Sequence, residues 1–74
     1  MLTGAQVKAA RALLGWSITK LEGSTGVCSL IIANFEAAKG RPSVLQRTVL
    51  RKVLAAAGVE FEDDGQVRLR EGKR

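Results

Sequence analysis

Residues 17–36, SITKLEGSTGVCSLIIANFE, read as two short helices joined by a turn. Ser17 suits the N-cap, because its hydroxyl accepts from an otherwise unpaired amide of the first turn. Leu21 is the large apolar residue at the centre of the first helix. Gly26 falls where the chain must turn sharply, and glycine takes positive φ there without steric cost. Val27 follows as an apolar plug. The spacing predicts a second helix from about Ser29 to Ala37, with Ile32, Ala33 and Phe35 on an apolar stripe. A helix, a glycine turn and a second helix within 20 residues form a helix-turn-helix signature. The second helix of such a motif is the one expected to lie in a DNA major groove.

Upstream, a helix is expected over Gly4 to Leu14, with Thr3 as its cap and Gly15 as its end. Alanine and leucine dominate it, and both are strong helix formers. Val7, Ala10 and Leu14 recur at i, i+3 and i+7 as its buried stripe. Trp16 is expected to pack over the junction as a core residue. Within the motif, Gly23 weakens the first helix by about 1 kcal/mol relative to alanine, so packing through Leu21 must hold it. Lys20 stands third in that helix, where the dipole prefers a carboxylate; a docked phosphate reverses the preference.

Downstream comes AAKGRP, residues 37–42. Gly40 marks the exit of the second motif helix, and Pro42 blocks continuation. Ser43 caps a fourth helix, about Val44 to Ala57. Leu45, Val49, Val53 and Ala57 recur every four residues as its expected inward face, with Leu50 and Leu54 beside them. Arg47, Arg51 and Lys52 lie away from that stripe. Gly58 closes the helix, and Val59 is expected to fold back onto Leu54. Residues 59–70, VEFEDDGQVRLR, alternate at period two and predict a hairpin. A two-residue turn at Asp64–Gly65 would set Phe61 opposite Arg68. A three-residue loop, Asp63–Asp64–Gly65, instead pairs Phe61 with Val67, Val59 with Leu69 and Glu60 with Arg68. One face is then apolar and the other charge-matched, so the three-residue loop is predicted. The tail, residues 71–74, is expected to be disordered.

Seventy-four residues make one small domain with a thin core. The net charge of +5 is uneven. Residues 39–58 carry Lys39, Arg41, Arg47, Arg51 and Lys52 with no acid. A basic segment directly after the reading helix suits a polyanion. Cys28 is the only cysteine and histidine is absent, which leaves no disulfide, no zinc set and no histidine base. No catalytic constellation, calcium loop or phosphate-cradling glycine motif is present, so neither an enzyme nor a cofactor is expected. No apolar run reaches the ~20 residues of a membrane span, and the N-terminus does not read as a secretory signal. A cytoplasmic location follows as the expectation.

The order of these features resembles the small Cro/phage-repressor-like (XRE) helix-turn-helix regulators of bacteria. The matching frame is ARALLGWS at 10–17, Leu21, Gly26–Val27, Ile32, Asn34–Phe35–Glu36–Ala37, Arg41–Pro42 and AAAGVEF at 55–61. It covers nearly the whole chain. The resemblance implies a mainly α, lambda-repressor-like four-helix domain with a C-terminal β-hairpin, working as a sequence-specific DNA-binding transcriptional regulator. It implies base contacts from Ser29, Leu30 and Asn34. It implies backbone contacts from Lys39 and Arg41, and from Ser17 and Thr19, which open the helix that crosses the backbone; the position of Lys20 in that helix adds it as a further phosphate contact. Cys28 falls at the helix cap, where serine or threonine is usual in the family. Arg11 and Glu36 occupy positions that form an ion pair in relatives. Asparagine can pair bidentately with adenine, and serine can bond several bases. Leu30 can touch only apolar surface, such as a thymine methyl.

Ile18, Leu30 and Ile31 depart from the family pattern, which is polar there. If Ile32 and Phe35 face the core, these three form an exposed apolar patch on the nominal DNA face, and such a patch marks a protein interface. The other possibility is a helix rotated so that they are buried. Two readings therefore stand: a DNA-binding regulator binding double-stranded DNA, or an interaction module of the same fold that has lost specific DNA binding and meets a protein partner on the Ile18, Leu30, Ile31 face. The hairpin edge, with its unpaired amides and carbonyls, predicts a homodimer through the C-terminal end. Two-fold symmetry would then place two reading helices about 34–36 Å apart on a palindromic site. Exchange of strands between subunits is a variant.

Overall fold

The computed structural model describes residues 2–70; the tail expected to be disordered lies outside them. Four helices precede a two-stranded antiparallel hairpin: α1 Gly4–Leu14, α2 Ile18–Thr25, α3 Ser29–Glu36, α4 Val44–Ala56, β1 Val59–Phe61 and β2 Val67–Leu69. Thr3 and Gln6 exchange bonds at the start of α1, the side chain of each accepting from the backbone N–H of the other. Gly4 itself is buried against the end of α3. A Cβ there would overlap the Phe35 carbonyl oxygen, so only glycine admits this approach.

The turn between α2 and α3 is closed by two devices. Gly26 takes φ 80° as the left-handed cap. Thr25, a mediocre helix former, donates its hydroxyl to the Leu21 carbonyl at 2.8 Å and accepts from the Val27 N–H at 3.1 Å. At the far end α3 stops at Glu36, one residue earlier than expected. The left-handed residue is Ala38, at φ 62°, and not Gly40. The Lys39 N–H reaches back to the Asn34 carbonyl and the Ala38 N–H to that of Phe35, the bond pattern of a Schellman ending.

Helix α4 is rotated from its expected setting. Leu50 and Leu54 are fully buried, whereas Leu45 is 72 % exposed, Val49 and Val53 are half-buried and Ala57 is exposed. The four-residue recurrence had marked the neighbouring row. The row that faces inward is the one that meets the apolar residues of the other elements, Leu50 and Leu54 joining the core cluster. In this setting the Arg51 guanidinium stacks 4.7 Å from the Phe61 ring centre, and Arg47 Nη1 donates to the Pro42 carbonyl.

The core comprises Leu2, Val7, Ala10, Leu21, Val27, Ile32, Phe35, Leu50, Leu54 and Val59. Trp16, expected inside, is half-buried at the edge of this cluster. The hairpin pairs Val59 with Leu69, Glu60 with Arg68 and Phe61 with Val67, the register of the three-residue loop. Gly65 takes φ 92°, and the Glu62 N–H donates to the Gln66 carbonyl. On the polar face Arg68 pairs with Glu62 at 2.8 Å and with Glu60 at 3.6 Å. Strand β2 lies over α1, and β1 lies against α4. No helix among the described residues is long and apolar enough to cross a membrane.

Candidate nucleic-acid interface

Burial divides α3 into two faces. Ile32 and Phe35 are buried in the core. On the other side Leu30 is 65 % exposed, with Ser29 and Asn34 half-exposed. Leu30 and Asn34 are four residues apart and therefore neighbours on one face of the helix. Cys28 is the N-cap and makes no side-chain capping bond; its thiol is exposed. The first-turn amides of α3 thus lack the usual hydroxyl or carboxylate acceptor, and unpaired amides at a helix N-terminus favour an anion.

Helix α2 enters from the side. The Ser17 hydroxyl accepts from the Lys20 N–H at 3.0 Å, which holds the first turn, and Thr19 is exposed beside it. The Lys20 ammonium lies 5.3 Å from the centre of the Trp16 ring, within cation–π range. The half-buried tryptophan therefore holds this charge over the α1–α2 junction. Beyond α3 the chain folds back on itself. The Lys39 N–H bonds the Asn34 carbonyl at 2.8 Å, and Gly40 passes close enough to Asn34 that an added Cβ would lie 3.9 Å from its Cβ. Lys39 and Arg41 are exposed on this loop, whose next residue, Pro42, is buried. The bond from Arg47 fixes the Pro42 carbonyl.

The basic segment is accordingly divided. Arg47 and Arg51 make contacts within the fold, Arg51 from an exposed position, while Lys39, Arg41 and Lys52 are exposed. The apolar patch is reduced as well. Ile18 and Ile31 are half-buried and pack against the core, leaving Leu30 as the strongly exposed member of the three.

One ion pair sets the seat of α3. Arg11 Nε and Nη2 donate to the two carboxylate oxygens of Glu36, each at 2.8 Å, and Nη1 donates to the Trp16 carbonyl at 2.9 Å. The side chains are 16 % and 7 % exposed. Hydrogen bonding to Glu36 raises the Arg11 pKa above the usual arginine value, against a smaller lowering by desolvation. The pair joins the end of α1 to the end of α3 and so orients the exposed face.

Three contributors had little or no sequence signal: Gly4 as the contact with α3, Trp16 as the partner of Lys20, and Arg47 as the pin behind Arg41. Only Gly4 leaves a trace, as a glycine in a helical turn where alanine is the better former. No family model and no curated protein matches the chain.

Proposed function

We propose that this chain is a sequence-specific DNA-binding transcriptional regulator with a lambda-repressor-like, XRE-type fold, acting in the cytoplasm with α3 in the major groove. The observation that carries the reading is the solvent face of α3: Ser29, Leu30 and Asn34 outward, Ile32 and Phe35 inward, and the exposed cations Lys39 and Arg41 on the loop that returns beside Asn34. Ser29, Leu30 and Asn34 meet bases. Ser17, Thr19, Lys20, Lys39 and Arg41 meet phosphates, which fix register without reading sequence. Cys28 stands at the uncapped N-terminus of the reading helix. The working form is a homodimer joined through the C-terminal hairpin, where Leu69 is 47 % exposed. The protein-partner alternative rested on the patch of Ile18, Leu30 and Ile31; with two of these packed against the core, DNA is the better-supported partner.

Selection of bound duplexes from a random pool, followed by titration at several salt concentrations, tests the reading. Affinity is expected to fall steeply with salt. Lys39→Ala and Arg41→Ala should each weaken binding to all sequences and lower the salt slope by about 1. Asn34→Ala should relax preference at one position, by about 1–3 kcal/mol of discrimination. Absence of binding at low salt would refute the proposal and return the protein-partner reading.

A further inference from the structure

The solvent side of α1 is poor in charge for an exposed helix. Ala5, Ala9, Ala12 and Leu13 are all exposed, and at about 100° per residue they share a strip about 100° wide. Arg11 is committed to Glu36, which leaves Lys8 as the charge on this side. Lys8 is exposed on one flank of the strip, about 100° round from Ala9. Gln6 stands on the opposite flank, about 60° round the other way, and its Nε2 donates to the Gly65 carbonyl at 3.2 Å. That bond sets the hairpin loop along the second flank. A groove of about 630 Å³ separates helix and hairpin, lined by Ala5 and Ala9 on one wall and by Phe61, Val67, Glu62 and Asp63 on the other. Arg51 also reaches it, held over the Phe61 ring. Leu69, on the strand that lies over α1, is 47 % exposed. From side to side the surface runs cation, apolar strip and groove, carboxylates. Neither Lys8 nor Asp63 has an ion-pair partner among the described residues.

We propose that this face receives a second copy of the chain: α1 packs on its counterpart about a two-fold axis along the helix, with Lys8 of each protomer against Asp63 of the other. The inference rests on the dimer reading and deepens it, adding α1 to the hairpin as the surface that meets the partner. A two-fold contact uses one patch twice, so the patch must complement itself. Rotation about an axis along α1 exchanges the two flanks and keeps each residue at its level along the helix. Lys8 stands about 3 Å along the axis from Gln6, so it comes opposite the loop that Gln6 holds. The alanines at the centre let two helices approach closely, since the side chains at a contact set the interaxial distance, and Leu13 of each protomer covers alanines of the other. A phosphate backbone suits this groove poorly, because Glu62 and Asp63 repel it.

The test is sedimentation of the full chain, without DNA, over a range of concentrations at low and high salt. The parent should be a dimer. Lys8→Glu and Asp63→Lys should each weaken association about tenfold at low salt, because each pair occurs twice and reversal turns attraction into repulsion. The difference should shrink at high salt. Lys8→Glu combined with Asp63→Lys exchanges the two charges and should restore the parent's dissociation constant, which a merely destabilised fold would not do. Ala9→Gln, uncharged and a good helix former, should give a monomer with unchanged helical circular dichroism. A dimer indifferent to Ala9→Gln or to the single reversals, or one that the exchange fails to restore, overturns the inference and leaves a dimer through the hairpin edge intact. A parent monomeric at every concentration overturns both.

Discussion

The Arg11–Glu36 pair is the most buried ion pair among the described residues. Both side chains are largely buried, and removing one partner strands the charge of the other. Arg11→Ala and Glu36→Ala should each lower stability by about 3 kcal/mol. The double variant should lose less than the sum, because no unpaired charge remains. Denaturant unfolding measures all three, and single variants as stable as the parent would contradict the pairing. Gly4 is the second residue of this kind. Its contact with the Phe35 carbonyl leaves no space for a methyl, and overpacking costs about 1–3 kcal/mol. Gly4→Ala is therefore expected to lower the thermal midpoint even though alanine is the better helix former. An unchanged or raised midpoint would show that α1 and α3 separate easily.

At the scale of elements, α2 and α3 are short, and their ends decide their stability. Gly23 in α2 takes no positive φ, and a methyl group added there would meet nothing within 4 Å. Gly23→Ala should stabilise by about 1 kcal/mol, opposite in sign to Gly4→Ala. The contrast separates propensity from packing with one chemical change. At the start of α3 the Cys28 thiol makes no cap bond. Cys28→Ser supplies an acceptor for a first-turn amide and should raise stability by about 0.5–1 kcal/mol. A fall in the thermal midpoint would mean that the thiol has a packing role its exposure does not suggest.

For the whole molecule the open question is the second copy. The radius of gyration of 11.4 Å is that of a compact chain of this length. Besides Leu30 on the α3 face and Leu13 on α1, the exposed large apolar residues are Leu69 on the hairpin edge and Val44 with Leu45 on α4. The hairpin offers unpaired backbone groups as well, which favours it. Sedimentation of the parent should show a dimer, and Leu69→Lys should shift it to monomer while Leu45→Lys leaves it unchanged. The reverse pattern would place the interface on α4, and a parent monomeric at high concentration would remove the dimer altogether. Truncating the hairpin is the poorer experiment, since Val59 belongs to the core.

The sequence by itself determined the helices, the N-caps Thr3, Ser17 and Ser43, the turn at Gly26 and the hairpin register. Each of these is a local property: a hydroxyl at an N-cap, a glycine where φ is positive, an apolar residue opposite another in a strand pair. It also held the inward pair Ile32 and Phe35. Tertiary structure alone decided the setting of α4, where the four-residue recurrence favoured the row of Leu45 and Val49 but Leu50 and Leu54 are the residues that meet the core. It decided that Ile18 and Ile31 pack inward while Leu30 does not, and that two of the five basic residues of 39–58 make contacts within the fold. It placed the left-handed residue at Ala38, although Gly40 was the sterically easier choice. These outcomes depend on which partner a face meets. Periodicity shows that a face is apolar, but only the neighbouring elements determine how far the helix turns to bury it.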